Sequence, residues 1–194
     1  MIGFGCGKES EENRSLKIGS EVEFGEDDYQ NITTASNTFG FQLLNEIEAE
    51  RDENVLISPL SAFMALSMVY NGALGETKEE MAKTLHVPGI SAEQLNKANA
   101  SLMTKLYEHT TKQVELQIAN SLWLNEDYHF KEAFQTNNEM YFNADMKYFD
   151  LDDRKAPEKM NKWASDKTNE KIKEIIKPPL HRDLVSVITN AIYF

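Results

Sequence analysis

The stretch from Asn54 to Thr77, NVLISPLSAFMALSMVYNGALGET, constrains the fold more than any other part of the chain. Between Leu60 and Tyr70 it is apolar at Leu60, Ala62, Phe63, Met64, Ala65, Leu66, Met68 and Val69. A helix that is apolar on every side has no face to offer water and must be enclosed by other elements. It is also far shorter than the roughly 20 residues that cross a bilayer. Its start is legible in residue chemistry. Ser58 suits the N-cap, Pro59 suits a first helical position that needs no amide donor, and Ser61 stands where a cap can reach it. Gly72 and then Gly75 mark its end. The short apolar run Val55, Leu56 and Ile57 leads into it, so the helix is expected to be central, with layers around it.

Bulk properties exclude several classes. At 194 residues the chain can bury one sizeable core. A formal net charge of −12 argues against nucleic acid and anionic membrane surfaces as partners. The single cysteine, Cys6, excludes an internal disulfide framework. The sequence holds no apolar run of about 18 residues, so no transmembrane helix is expected.

Residues 1–34 read as a flexible acidic tail, because from Gly7 to Gln30 there are eight acidic residues against three basic ones. Gly5-Cys6-Gly7 ahead of an acidic linker looks like the end of a lipoprotein signal, with Cys6 as the lipidated residue. The short apolar stretch and missing charged start argue instead for an incidental cysteine. Asn13-Arg-Ser15 and Asn31-Ile-Thr33 fit the glycosylation sequon, which has low specificity.

Periodicity predicts further elements. Phe39, Leu43, Leu44 and Ile47 form an apolar stripe for a helix over 35–50. Thr77 caps a short helix to Leu85, closed by Val87-Pro88-Gly89. Another helix runs from Ser91 to about His109, with Leu95, Ala98, Leu102 and Leu106 on one face. Val114 to Leu124 alternates cleanly and reads as a strand, with Asn120 among the apolar residues of one face. Phe130 to Tyr141 reads as helix, Ala144 to Asp150 as an edge strand, and Pro157 to Thr168 as helix. Leu184 to Phe194 is a near-continuous apolar run, expected to be a strand buried on both faces.

Three motifs in this frame closely resemble the serpin family. The first is Asn54, Ser58, Pro59 and Ser61 followed by Gly72, Ala73, Gly75 and Thr77, similar to the family's helix B and the turn after it. The second is Met160, Asn161, Trp163, Ala164, Thr168, Lys171 and Ile172, similar to its helix F and the following linker. The third is Asn190-Ala191-Ile192-Tyr193-Phe194, similar to strand 3 of the large sheet A, with 114–124 resembling strand 2. The resemblance covers residues 35–194 and implies an α+β serpin fold, N-terminal half only, with about six helices packed on strands of sheet A.

The resemblance implies an inhibitor of serine or cysteine endopeptidases rather than an enzyme. A target protease cleaves an exposed reactive-centre loop, and the loop inserts into sheet A while still acylated to the protease. That loop and the family's Lys-Gly-x-Trp segment are not in this sequence, so these residues alone are expected to be inactive, poorly soluble or in need of a second chain or C-terminal half. A partial gene model is expected over a split protein. The resemblance assigns a conformational shutter to Asn54, Ser58, Ser61 and Asn190, whose alternative reading is helix capping and sheet support. It assigns the strand flanking the insertion site to Leu184, Val185, Ser186, Val187, Ile188, Thr189, Ala191, Ile192, Tyr193 and Phe194. Met160, Asn161 and Trp163 belong to the helix over that sheet. An extracellular or cell-surface location follows from the same resemblance.

Lys97, Lys105 and Lys112, set against Glu93 and Glu108, are too thin a patch for heparin-type activation. No cofactor or metal is expected, since His86, His109, His129 and His181 stand singly. Ser58 lies in no nucleophile elbow and reads as a cap. Two other readings stay open. One is a non-inhibitory serpin acting as chaperone, carrier or binder. The other is a helical interaction protein that borrows the motif and has no sheet.

Overall fold

A computed structural model of the chain describes residue 18 and residues 22–47, 54–108 and 116–193. Among these residues lie six helices, α1 (Gln30–Glu46), α2 (Pro59–Tyr70), α3 (Gly75–Thr84), α4 (Ala92–Glu108), α5 (Glu132–Phe142) and α6 (Ala156–Lys167). Three strands accompany them, β1 (Gln117–Asn125), β2 (Ala144–Phe149) and β3 (Ser186–Tyr193). The strands make one sheet in the order β2-β1-β3, with β1 parallel to β2 and antiparallel to β3. The presence of this sheet removes the purely helical reading.

α2 is the central element. Ser58 caps it by accepting from the Ser61 amide, and Pro59 sits in the first turn. One side of α2 meets α1, α3 and α4 in a core of Ile32, Phe39, Phe63, Tyr70, Leu85, Val87 and Leu95. Its other side meets the sheet, where Met64 packs with Ile118 and Met103, and Met68 packs with Leu122, Leu124 and Phe142. Enclosure on both sides is why the apolar pattern carries so little periodicity. α1 crosses close at Gly40, where an added Cβ would stand 2.6 Å from the Pro59 Cβ.

Alternation along β1 divides the layers. Ile118, Asn120, Leu122 and Leu124 face the α2 side, and Ala119 and Trp123 face α6. α6 lays Met160, Trp163 and Ala164 on the second face, against Ala119, Trp123 and Ala191. The result is a sheet with a helical floor and a single-helix roof.

Several boundaries differ from the sequence pattern. α1 starts at Gln30, not 35, and ends before Ile47. Its buried stripe is Ile32, Ala35 and Phe39, which rotates Leu44 and Ile47 outward into solvent. Of the tail expected over 1–34, residues 30–34 are therefore helical, and the described residues before them lie against α4. Val22 is buried, Tyr29 N–H donates to Ser101 Oγ (3.2 Å), and Ser101 Oγ donates to the Glu26 carbonyl (2.8 Å). The Lys105 ammonium, 2.7 Å from Glu26 Oε1, holds that carboxyl below its ordinary range. α3 begins at Gly75, with Leu74 rather than Thr77 at its N-cap. α2 ends at Asn71 in right-handed geometry, so Gly72 does not terminate it by a left-handed turn. Gly72 instead admits the ring of Phe134, 3.1 Å from where a Cβ would stand.

β3 also departs from expectation. Only Ala191 is buried, and the other residues of Ser186–Tyr193 are half-buried. The apolar run reads as a strand covered on both faces, but among the described residues β3 is one of the two end strands of the sheet, paired on one side alone.

Candidate functional site

β3 is joined to β1 from Tyr193 opposite Gln117 to Ser186 opposite Leu124. Among the described residues β1 uses both of its edges, β2 uses one, and β3 likewise uses one. Its outer edge therefore presents backbone donors and acceptors in a row, and it can take another strand.

Directly under this strand lies a pair of amides. Asn190 and Asn120 are cross-strand partners, and Asn190 Nδ2 donates to Asn120 Oδ1 at 2.7 Å. Asn120, 1% exposed, donates its own Nδ2 to the carbonyl of Phe142 at 2.7 Å. Asn190 Nδ2 also stands 3.9 Å from the Met64 sulfur, which ties β3 to the floor helix α2. The Asn190 Oδ1 atom is buried and has no hydrogen-bond partner among the described residues. A buried polar atom left unmatched costs stability.

On the α6 face, Ser121 Oγ donates to Thr189 Oγ1 (3.2 Å) and accepts from Trp123 Nε1 (2.9 Å). The roof is fixed to the far side of the sheet by Trp163 Nε1, which donates to Asp145 Oδ2 at 2.8 Å on β2. Lys167 reaches the same carboxylate at 3.4 Å. Near the start of α6, the Lys159 ammonium lies 2.8 Å from Asp153 and lowers that carboxyl's pKa.

The residues assigned from sequence fall into three places. Ser58 and Ser61 lie together at the start of α2, with Ser58 Oγ donating to Ser61 Oγ at 2.9 Å. Asn190 lies farther along the same floor, over Met64, and among the described residues no hydrogen bond joins it to the serine pair. Asn54 is exposed ahead of α2. Val187 packs toward α6 and Ile188 toward α2 and α5, as alternation requires. Leu184 and Val185 precede β3 and are held by Asn125, whose N–H donates to the Val185 carbonyl (3.0 Å) and whose Nδ2 donates to the Leu184 carbonyl (2.9 Å). Met160 is fully buried under α6. Cys6 and Phe194 lie outside the described residues.

Asn120 belongs to this site and was not singled out by the sequence. The available signal was an amide in a strand face otherwise filled by Ile118, Leu122 and Leu124. Among the described residues no group of three or more His, Cys, Asp or Glu is placed to hold a metal ion, and no helix is long and apolar enough to cross a membrane.

The described residues therefore place helices beneath the sheet and one helix, α6, across its other face. The family model described as Serpin (serine protease inhibitor) matches residues 34–194, and the chain belongs to that family. A serpin-like protein of Methanosarcina acetivorans is 35% identical over 170 residues, covering 84% of this chain and 38% of its own length. Iripin-1 of Ixodes ricinus is 36% identical over 166 residues, covering 84% of this chain and 42% of its own. Among solved structures, the thermophilic serpin tengpin in its latent state superposes with a TM-score of 0.76 at 34% identity, over 88% of this chain and 45% of tengpin. The chain thus spans about two fifths of these curated relatives' length. Serpins are mostly serine protease inhibitors, and some are non-inhibitory.

Proposed function

We propose that these residues are the front half of a protease-inhibiting serpin, and that β3 is the strand beside which its cleaved loop is added. In this reading a target endopeptidase, serine-type first and cysteine-type second, attacks an exposed loop that lies outside these 194 residues. The scissile peptide bond breaks, the loop's carbonyl carbon becomes esterified to the protease nucleophile, and the amine side leaves. Before water can hydrolyse that ester, the freed loop enters the sheet and drags the protease with it. New strand hydrogen bonds and apolar burial drive the step.

The observation that carries this reading is the one-sided pairing of β3, with α6 above it and the Asn120–Asn190 pair below. Lys97 and Lys105 of α4 are each paired with a carboxylate, Glu93 at 2.7 Å and Glu26 at 2.7 Å, which supports a mechanism without heparin-type activation; Lys112 lies outside the described residues.

The test is incubation of the full-length protein with trypsin-, chymotrypsin- and elastase-like proteases. The expected result is an SDS-resistant one-to-one adduct with at least one of them, and a cleaved form that unfolds at a higher temperature than the intact one. Cleavage with no adduct and no gain in thermal resistance would assign the protein to the non-inhibitory serpins.

A further inference from the structure

We propose that Asn161 is a positioning residue for strand entry: it latches the connection between α6 and β3 down over the sheet and so sets how fast a strand can enter beside β3. This rests on the insertion reading above. After α6 the chain turns through Thr168, Asn169 and Glu170, the last two in left-handed geometry (φ 48° and 62°). It then runs back through residues 171–185 without regular structure, exposed from Lys171 to Ile175. A segment so poor in its own hydrogen bonds is held by side chains.

Asn161 supplies most of that hold. Its Oδ1 accepts from the Ile175 N–H at 2.8 Å and from the Ile176 N–H at 3.0 Å, and its Nδ2 donates to the Ile176 carbonyl at 2.9 Å. One amide thus closes three hydrogen bonds with two consecutive residues of the connection. Thr168 adds a tie nearer the turn, where its Oγ1 donates to the Ala164 carbonyl (2.7 Å) and accepts from the Ile172 N–H (3.0 Å). Beyond the latch, Ile176, Leu180 and Leu184 pack into the cluster that holds Met160, Trp163, Val187 and Ala191.

That cluster is the face of β3 that a neighbouring strand would share. Side chains of an added strand alternate between faces, so every second one must enter the space beside Val187 and Ala191 under this connection. The connection must therefore lift, and the Asn161 bonds are exchanged for water as it does. Both functions of the amide are used. An aspartate keeps the two acceptor bonds but loses the donor, and alanine loses all three.

The measurement is made on the full-length protein, with its exposed loop cut by a protease it does not trap. Strand entry is followed as the rate at which thermal resistance rises. Asn161→Ala is expected to raise that rate at least about tenfold, since each lost bond is worth on the order of 1 kcal/mol. Asn161→Asp should fall between it and the parent. Hydrogen exchange should show the Ile175 and Ile176 amides losing protection in the alanine variant while Ala164 and Ser165 within α6 keep theirs. If the parent protein gains no thermal resistance after cleavage, the insertion reading itself fails. If the parent gains it and Asn161→Ala gains it at the same rate, the latch is overturned. Loss of protection throughout α6 would overturn it too, because the effect would then be on the helix and not on the connection.

Discussion

Asn120 and Asn190 show how one polar pair can serve two ends in an apolar setting. Inside the sheet each amide needs partners, and Asn120 finds them in Asn190 and the Phe142 carbonyl. Truncating Asn120 leaves that buried carbonyl and the Asn190 amide without good partners, since the Met64 sulfur at 3.9 Å is a weak acceptor. Asn120→Ala is therefore expected to lower stability by about 2–3 kcal/mol, read as a shifted urea midpoint with an unchanged slope. A shift equivalent to less than about 0.5 kcal/mol would mean the pair is already solvated. Residue chemistry was most legible where a side chain acts locally. Ser58 and Pro59 cap α2 because their geometry depends only on neighbours in sequence. The role of Asn120 depends on a strand 70 residues away and on the end of α5, which no local pattern encodes.

At the scale of elements, packing decides what periodicity proposes. The pattern over 35–50 finds α1 and places Phe39 and Leu43 on its core side, but it also puts Leu44 and Ile47 there and misses Ile32 and Ala35, which lie in a stretch of threonines and asparagines that reads as coil. Gly40, lacking a Cβ, permits the crossing of α1 with α2 at Pro59. Gly40→Ala places a methyl within 2.6 Å of the Pro59 Cβ, so the two helices must separate. The expected cost is about 1–3 kcal/mol despite the gain in helix propensity, measured by thermal unfolding. An unchanged or raised midpoint would show that α1 can shift without loss. The strands were legible from alternation and from the apolar run at the end of the chain. What could not be read was β3's exposure, since an apolar strand looks the same whether it has one neighbour or two.

Over the whole molecule, the described residues form a floor, a sheet and a roof, and both end strands of the sheet, β2 and β3, have one unpaired edge among these residues. Apolar side chains stand exposed elsewhere as well, including Leu56 at 97% and Phe41 at 71%. On the proposed mechanism β3 receives a strand. Hydrogen exchange on the full-length protein before and after loop cleavage tests it most directly, at the amides of Ser186–Tyr193 that do not bond to β1. The account predicts that these amides gain protection on cleavage while those bonded to β1 stay protected throughout. Unchanged exchange along the outer edge of β3, in a protein whose loop is fully cut, would contradict it.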